Sequence, residues 1–206
     1  MILPSLKQTL VEKLLQEYIA LRNTYIETPF KYNRKAALEF SNLGIPNNPD
    51  FIRNSTFGQL FQTCLNKNPD FAMMQNLRGI GCFSVEYDYD PSDIQEENKS
   101  AFIFRAIEKD LMSEMVPLLI KIPNGRLRCG LKRDCYKLNP KTTNPNYMKC
   151  YEFIGSLLGR ILFRYKLFFG VPMAPTFWML LNDEEPTLQD YAREDARLQK
   201  RLLKFN

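Results

Sequence analysis

YMKCYEFIGSLLGRILFRY, residues 147–165, carries the strongest periodic signal in the chain. Tyr147, Met148, Tyr151, Ile154, Leu157, Leu158, Ile161, Leu162 and Tyr165 recur every three or four residues, the repeat of an α-helix, and spread around much of its circumference. Burying each such side chain yields roughly 1.5–3 kcal/mol, whereas ordering the backbone costs roughly 1–2 kcal/mol per residue. A helix of this composition is stable only when neighbours cover most of its faces. It is therefore expected at the centre of the core. Gly155 and Gly159, four apart, predict a flat strip where another helix approaches closely.

Working outward, Pro175 opens a short amphipathic helix carrying Phe177, Trp178, Leu180 and Leu181. Thr187 with Asp190 is a capping-box-like start for a last helix through Tyr191, Leu198, Leu202 and Leu203. In the other direction, residues 128–138 predict a strand returning from a turn at Pro123, Asn124 and Gly125, which follows a first strand over residues 118–122. Phe102, Ile103, Ala106, Ile107 and Leu111 mark the inner face of a helix capped by Asn98 or Ser100. Phe83, Val85, Tyr87 and Tyr89 alternate with Ser84, Glu86 and Asp88, the period of a strand with one wet face. Ser55 starts a helix bearing Phe57, Leu60, Phe61 and Cys64, after a Pro- and Asn-rich loop over residues 44–53. Asn33 caps a helix through Ala36, Ala37 and Phe40, with Gly44 as its left-handed stop. Leu6, Leu10, Leu14, Tyr18, Leu21 and Tyr25 form one face of a long first helix, with Pro4 in its opening turn. These elements predict an α+β, mostly helical fold, with helices around a long central core helix and a few short strands.

Composition narrows the chemistry. The 206 residues contain no histidine, which excludes Ser-His-Asp and Cys-His pairs and histidine-ligated zinc. Neither G-x-G-x-x-G nor G-x-x-x-x-G-K-[ST] occurs among the nine glycines, so nucleotide binding lacks its usual cradle. The five cysteines, Cys64, Cys82, Cys129, Cys135 and Cys150, are odd in number and show no C-x-x-C spacing. Reduced thiols in an intracellular, most simply cytoplasmic, protein are the expectation. No secretory signal is legible at Met1, and the apolar run 147–169 is interrupted by Lys149, Glu152, Arg160, Arg164 and Lys166.

Three chemical candidates remain. Lys132 and Arg133 beside Cys135 would lower a thiol pKa and favour a nucleophile; Cys82 starts a predicted strand. The acidic residues Glu86, Asp88, Asp90, Asp93, Glu96 and Glu97 lack the spacing of a calcium loop and read as a solvated face and loop. The basic stretch Arg126, Arg128, Lys132, Arg133 and Lys137 includes Tyr136, which as a stacking platform would make a nucleic-acid-binding module. A net charge of only +5 weighs against that partner.

The order of motifs points elsewhere. RDCYKLNP at 133–140, the run YEFIGSLLGRILFRYKLFFGVPMAPTFWMLL at 151–181 and PTLQDYAREDARLQKRLL at 186–203 resemble the amino-terminal lobe of HECT-type ubiquitin ligases. The matching residues are Tyr136, Leu138, Asn139, Pro140, Phe153, Gly155, Gly159, Pro175, Phe177, Trp178, Thr187, Leu188, Asp190 and Asp195. SEMVPLLIKIPNG at 113–125 looks like the giant-ligase branch, and FGQLF at 57–61 and RGIGCFSVEY at 78–87 fit the preceding elements. The resemblance implies a HECT amino-terminal-lobe-like domain over 55–206, preceded by an N-terminal helical segment over 1–54. It departs from the family pattern at YDYDPSDIQEENKSAFIF, 87–104, where paired glycines are usual.

None of the five cysteines matches the family's thioester-forming position. The expectation is a chain with no catalytic residue, metal or cofactor of its own, uncertain as an enzyme, whose partners are proteins. It is expected to be a non-catalytic, scaffolding part of a ubiquitin-protein ligase that works with a conjugating enzyme and a cysteine lobe. The alternative is a catalytically inactive, HECT-derived structural subunit of a larger assembly.

Overall fold

A computed structural model describes residues 30–67, 85–87, 99–141, 144–163 and 170–204. Strand β1 (Phe30–Tyr32) leads into helix α1 (Arg34–Leu43). The Asn33 side chain accepts a hydrogen bond from the Ala36 N–H at 2.8 Å, and Gly44 ends the helix at φ 64°. Both capping expectations hold, because a short polar side chain supplies the missing acceptor and glycine tolerates the left-handed turn. The expected loop over 44–53 is interrupted by helix α2 (Phe51–Asn54). Phe51 is fully buried, and anchoring that ring in the core winds a single turn out of a locally polar segment.

Helix α3 (Thr56–Lys67) begins where Ser55 predicts, its hydroxyl accepting from the Gly58 N–H at 2.9 Å. Strand β2 (Val85–Tyr87) pairs in parallel with β1, Phe30 opposite Val85 and Tyr32 opposite Tyr87. Helix α4 (Lys99–Met112) places Ser100 inside the helix and buries Ile103, Phe104, Ile107 and Leu111. Strand β3 (Leu119–Lys121) runs antiparallel to β4 (Tyr136–Leu138), with Leu119 opposite Leu138. Between them the predicted turn is a helical one, α5 (Pro123–Arg126), closed by the Arg126 N–H on the Ile122 carbonyl at 3.1 Å. The strand expected over 128–138 shrinks to its last three residues.

The decisive helix, α6 (Pro145–Phe163), starts two residues before its periodic face, with Asn144 accepting from the Asn146 N–H at 3.0 Å. Cys150, Phe153, Ile154, Leu157 and Leu158 are buried, so the helix lies in the core as expected, although Met148 faces out. Gly155 corrects another expectation: it is exposed, and nothing lies within 4 Å of a Cβ built there. Helix α7 (Pro175–Leu181) follows. The single last helix is in fact two, α8 (Leu188–Glu194) and α9 (Ala196–Leu202). Extended Asp195 breaks it, because its carboxylate accepts from the Arg197 and Leu198 N–H groups at 3.0 and 3.2 Å and so caps a new helix.

The core is an aromatic stack across three helices. Phe57 lies parallel to Phe61 at 6.3 Å and edge-on to Phe153 at 5.6 Å, while Phe51 packs on Phe57 and Tyr147. Phe30, Tyr32 and Phe40 join the same buried cluster. The architecture is α+β and mostly helical. The first predicted helix (Leu6 to Tyr25), the acidic residues Asp88 to Glu97 and Cys82 lie outside the described residues.

Candidate functional site

Several residues that carry the sequence motifs lie where the segment from β3 to β4 meets α7, α8 and α9. The polar ones act through hydrogen bonds to backbone. Asn124, 1% exposed, donates to the carbonyls of Leu131 and Arg193 and accepts from the Ala196 N–H at 2.7 Å. One side chain thereby ties the 126–133 loop to the break between α8 and α9. Asn139 donates to the Pro117 carbonyl at 2.9 Å and accepts from the Lys141 N–H, which fixes the end of β4. Tyr151 donates to the Leu118 carbonyl at 2.8 Å, joining α6 to the start of β3.

Glu194, 4% exposed, is the anchor for α7. Its carboxylate accepts from the Thr176 N–H and the Thr176 hydroxyl, both at 3.0 Å. A buried carboxylate at a helix start is stabilised by the unpaired N–H groups there. Thr187 and Asp190 form the capping box of α8, and bonds from the Thr187 hydroxyl and N–H hold the Asp190 carboxyl below its ordinary range. Asp110 does the same work for α3 from α4, accepting from the Phe57 N–H at 2.9 Å. Burial pushes its carboxyl up to about 6, against the bonds from Phe57 and Thr56 that pull it down. Sequence reading missed Asp110 and Glu194, since nothing in a helical pattern separates a buried acid from a surface one.

The structure weighs against the nucleophile candidate at Cys135. Burial raises that thiol's pKa; Lys132 opposes this, while Glu194 and Asp134 add to it. Cys150 is buried and pushed up to about 12 by desolvation. Cys64 and Cys129 are half-buried. Among the described residues no three of Cys, Asp and Glu gather to hold a metal ion.

The structure also weighs against the stacking-platform candidate at Tyr136. The residue is 8% exposed, its hydroxyl donates to the Met112 carbonyl at 3.1 Å, and its backbone bonds to Pro172 and Ala174 in an isolated parallel bridge opposite Met173. Arg126, Arg128, Lys132 and Arg133 do lie on the surface, without an exposed aromatic among them.

This side also presents an apolar surface. Trp178, Leu180, Leu181, Leu188 and Tyr191 are exposed by 37–57%, and Leu203 by 71%. Helix α7 therefore buries Thr176 and turns most of its apolar residues outward. No helix among the described residues is long and apolar enough to cross a membrane.

Comparison with known proteins accounts for the motifs. Residues 94–206 match the family model described as HECT-domain (ubiquitin-transferase). The chain is 30% identical to E3 ubiquitin-protein ligase HERC2 of Mus musculus over 141 residues, 68% of this chain and 3% of that protein. It is 34% identical to the Homo sapiens E3 ubiquitin-protein ligase HERC2 over 87 residues, 42% of this chain and 2% of that protein. The chain thus spans a few per cent of the length of these relatives. A family match over more than half of the sequence, on the same residues that build the hydrogen-bonded frame, means that the chain belongs to the HECT-domain family.

Proposed function

We propose that residues 55–206 form a non-catalytic scaffold within the ubiquitin-transfer machinery, a platform for protein partners such as a conjugating enzyme and a cysteine-bearing lobe. One observation carries this reading: the family-motif residues Asn124, Asn139 and Asp195 spend side-chain polar atoms on backbone groups of this chain. Residues used in that way stiffen a platform and are not available to attack a thioester. The high thiol pKa values of Cys135 and Cys150 agree, because the thiolate is the nucleophile.

The test is to offer ubiquitin-charged conjugating enzyme to the 206-residue chain and look for a reductant-sensitive ubiquitin adduct. The expected result is none. An adduct that disappears on mutating any one of Cys64, Cys82, Cys129, Cys135 or Cys150 overturns the proposal.

A second reading, a catalytically inactive structural subunit of a larger assembly, draws support from the outward-facing apolar residues of α7 and α8. Exposed apolar patches of this kind mark protein contact surfaces. Intact-complex mass spectrometry of native extracts decides between the two. A separate 24.2 kDa chain in fixed stoichiometry supports the subunit. The same sequence found only within a much longer ligase supports the scaffold.

A further inference from the structure

We propose that the cleft between the 46–48 turn, the 112–117 turn and α5 is a docking groove for an acidic segment of a partner protein, one that interleaves carboxylates with apolar side chains. The cleft encloses about 510 Å³. Pro46, Met112 and Ile120 line it and keep part of their surface accessible. Lys121, Arg126 and Arg128 stand exposed along the same cleft. Among the described residues no carboxylate forms an ion pair with any of these three. The groove is a different surface from the apolar one on α7 and α8.

Both walls are set before any ligand arrives. The Asn47 and Asn48 N–H groups donate to the Glu114 and Met115 carbonyls at 2.8 and 3.0 Å, which ties one turn to the other. On the opposite side Arg128 is held at φ 52° with its N–H on the Gly125 carbonyl, a left-handed conformation that non-glycine residues rarely adopt. A preformed wall loses little further entropy on binding. Guanidinium groups match carboxylates through paired hydrogen bonds, and an apolar floor rewards side chains placed between those carboxylates.

The occupant follows from charge and from the lining. A single-stranded nucleic acid would gain from bases stacked on an exposed ring, but Tyr136 is buried and turns its hydroxyl inward to Met112. Glu114, also on the cleft, opposes any anion and so makes a second handle on the charge argument.

The test uses the full chain and a fluorescein-labelled peptide of about ten residues that alternates Glu with Leu, read by fluorescence anisotropy at low and high salt. Arg126→Glu with Arg128→Glu should weaken binding roughly tenfold or more. Glu114→Gln should strengthen it, and Lys35→Glu, on α1, should leave it unchanged. A scrambled peptide with Lys in place of Glu should not bind. Equal affinity for the wild type and the double variant overturns the proposal. So does tighter binding, through the same arginines, of a single-stranded oligonucleotide or a phosphatidylserine vesicle. Circular dichroism melting of each variant separates lost binding from lost folding, and the gain expected for Glu114→Gln cannot arise from unfolding.

Discussion

The aromatic stack around Phe57 and the frame around Asn124 stabilise the same chain by opposite means. Around Phe57, rings from α2, α3 and α6 fill space with one another, and stability comes from apolar area removed from water. Around Asn124 and Glu194, irregular backbone is held by buried polar atoms, while Trp178, Leu180 and Leu181 remain outside. The contrast teaches where each kind of error is costly. A cavity hurts the first region, and an unpaired donor or acceptor hurts the second.

Five substitutions sharpen that contrast. Phe57→Ala or Phe153→Ala should have the largest effect, about 3–5 kcal/mol lost in urea unfolding, because each leaves a cavity among rings that cannot collapse into it. Asn124→Ala should cost about 2–4 kcal/mol by stranding three backbone groups, each worth roughly 1–3 kcal/mol when buried unsatisfied but partly reached by water here. Its signature is local. Hydrogen exchange should rise at Ala196 and across 126–133 while the amides of α3 and α6 stay protected. Uniform loss of protection across both regions would show that the two are one cooperative unit.

Asp110 links the two styles and gives a pH test. Its folded pKa of about 6 lies above the unfolded 3.8, so the native state holds the proton more tightly. That contribution is fully present below about pH 4 and is lost as pH rises through about 6, a change on the order of 2–3 kcal/mol. Asp110→Asn should flatten the melting temperature between pH 4 and pH 6.5; an unchanged slope contradicts the assignment. At the small end, Leu180→Ser should alter chain stability by less than about 0.5 kcal/mol. If α7 is a contact surface, the same change should weaken partner retention in pull-downs. A loss of stability there would mean that this helix packs against the chain itself.

Much of the first region was legible from residue order. Asn33, Ser55 and Gly44 set helix ends through local hydrogen bonds and a local dihedral, which need no tertiary information. The inner faces of α4 and α6 followed from a 3.6-residue repeat. The second region was not legible in the same way. Asn124 in PNG has the sequence of a turn, and only Arg193 and Ala196, some 70 positions away, show it to be a clamp. Likewise, the basic neighbours of Cys135 suggested an activated thiol, but desolvation, which has no signature in adjacent residues, outweighed them.

What the sequence determined alone was the set of local elements, the central apolar helix and the motif order that places the chain among HECT domains. Tertiary structure decided the pairing of β1 with β2, the break at Asp195, and which acids are buried. The physical reason is range. Helix periodicity and capping act over three or four residues, whereas burial and cross-chain hydrogen bonds depend on groups that meet only after the chain has folded.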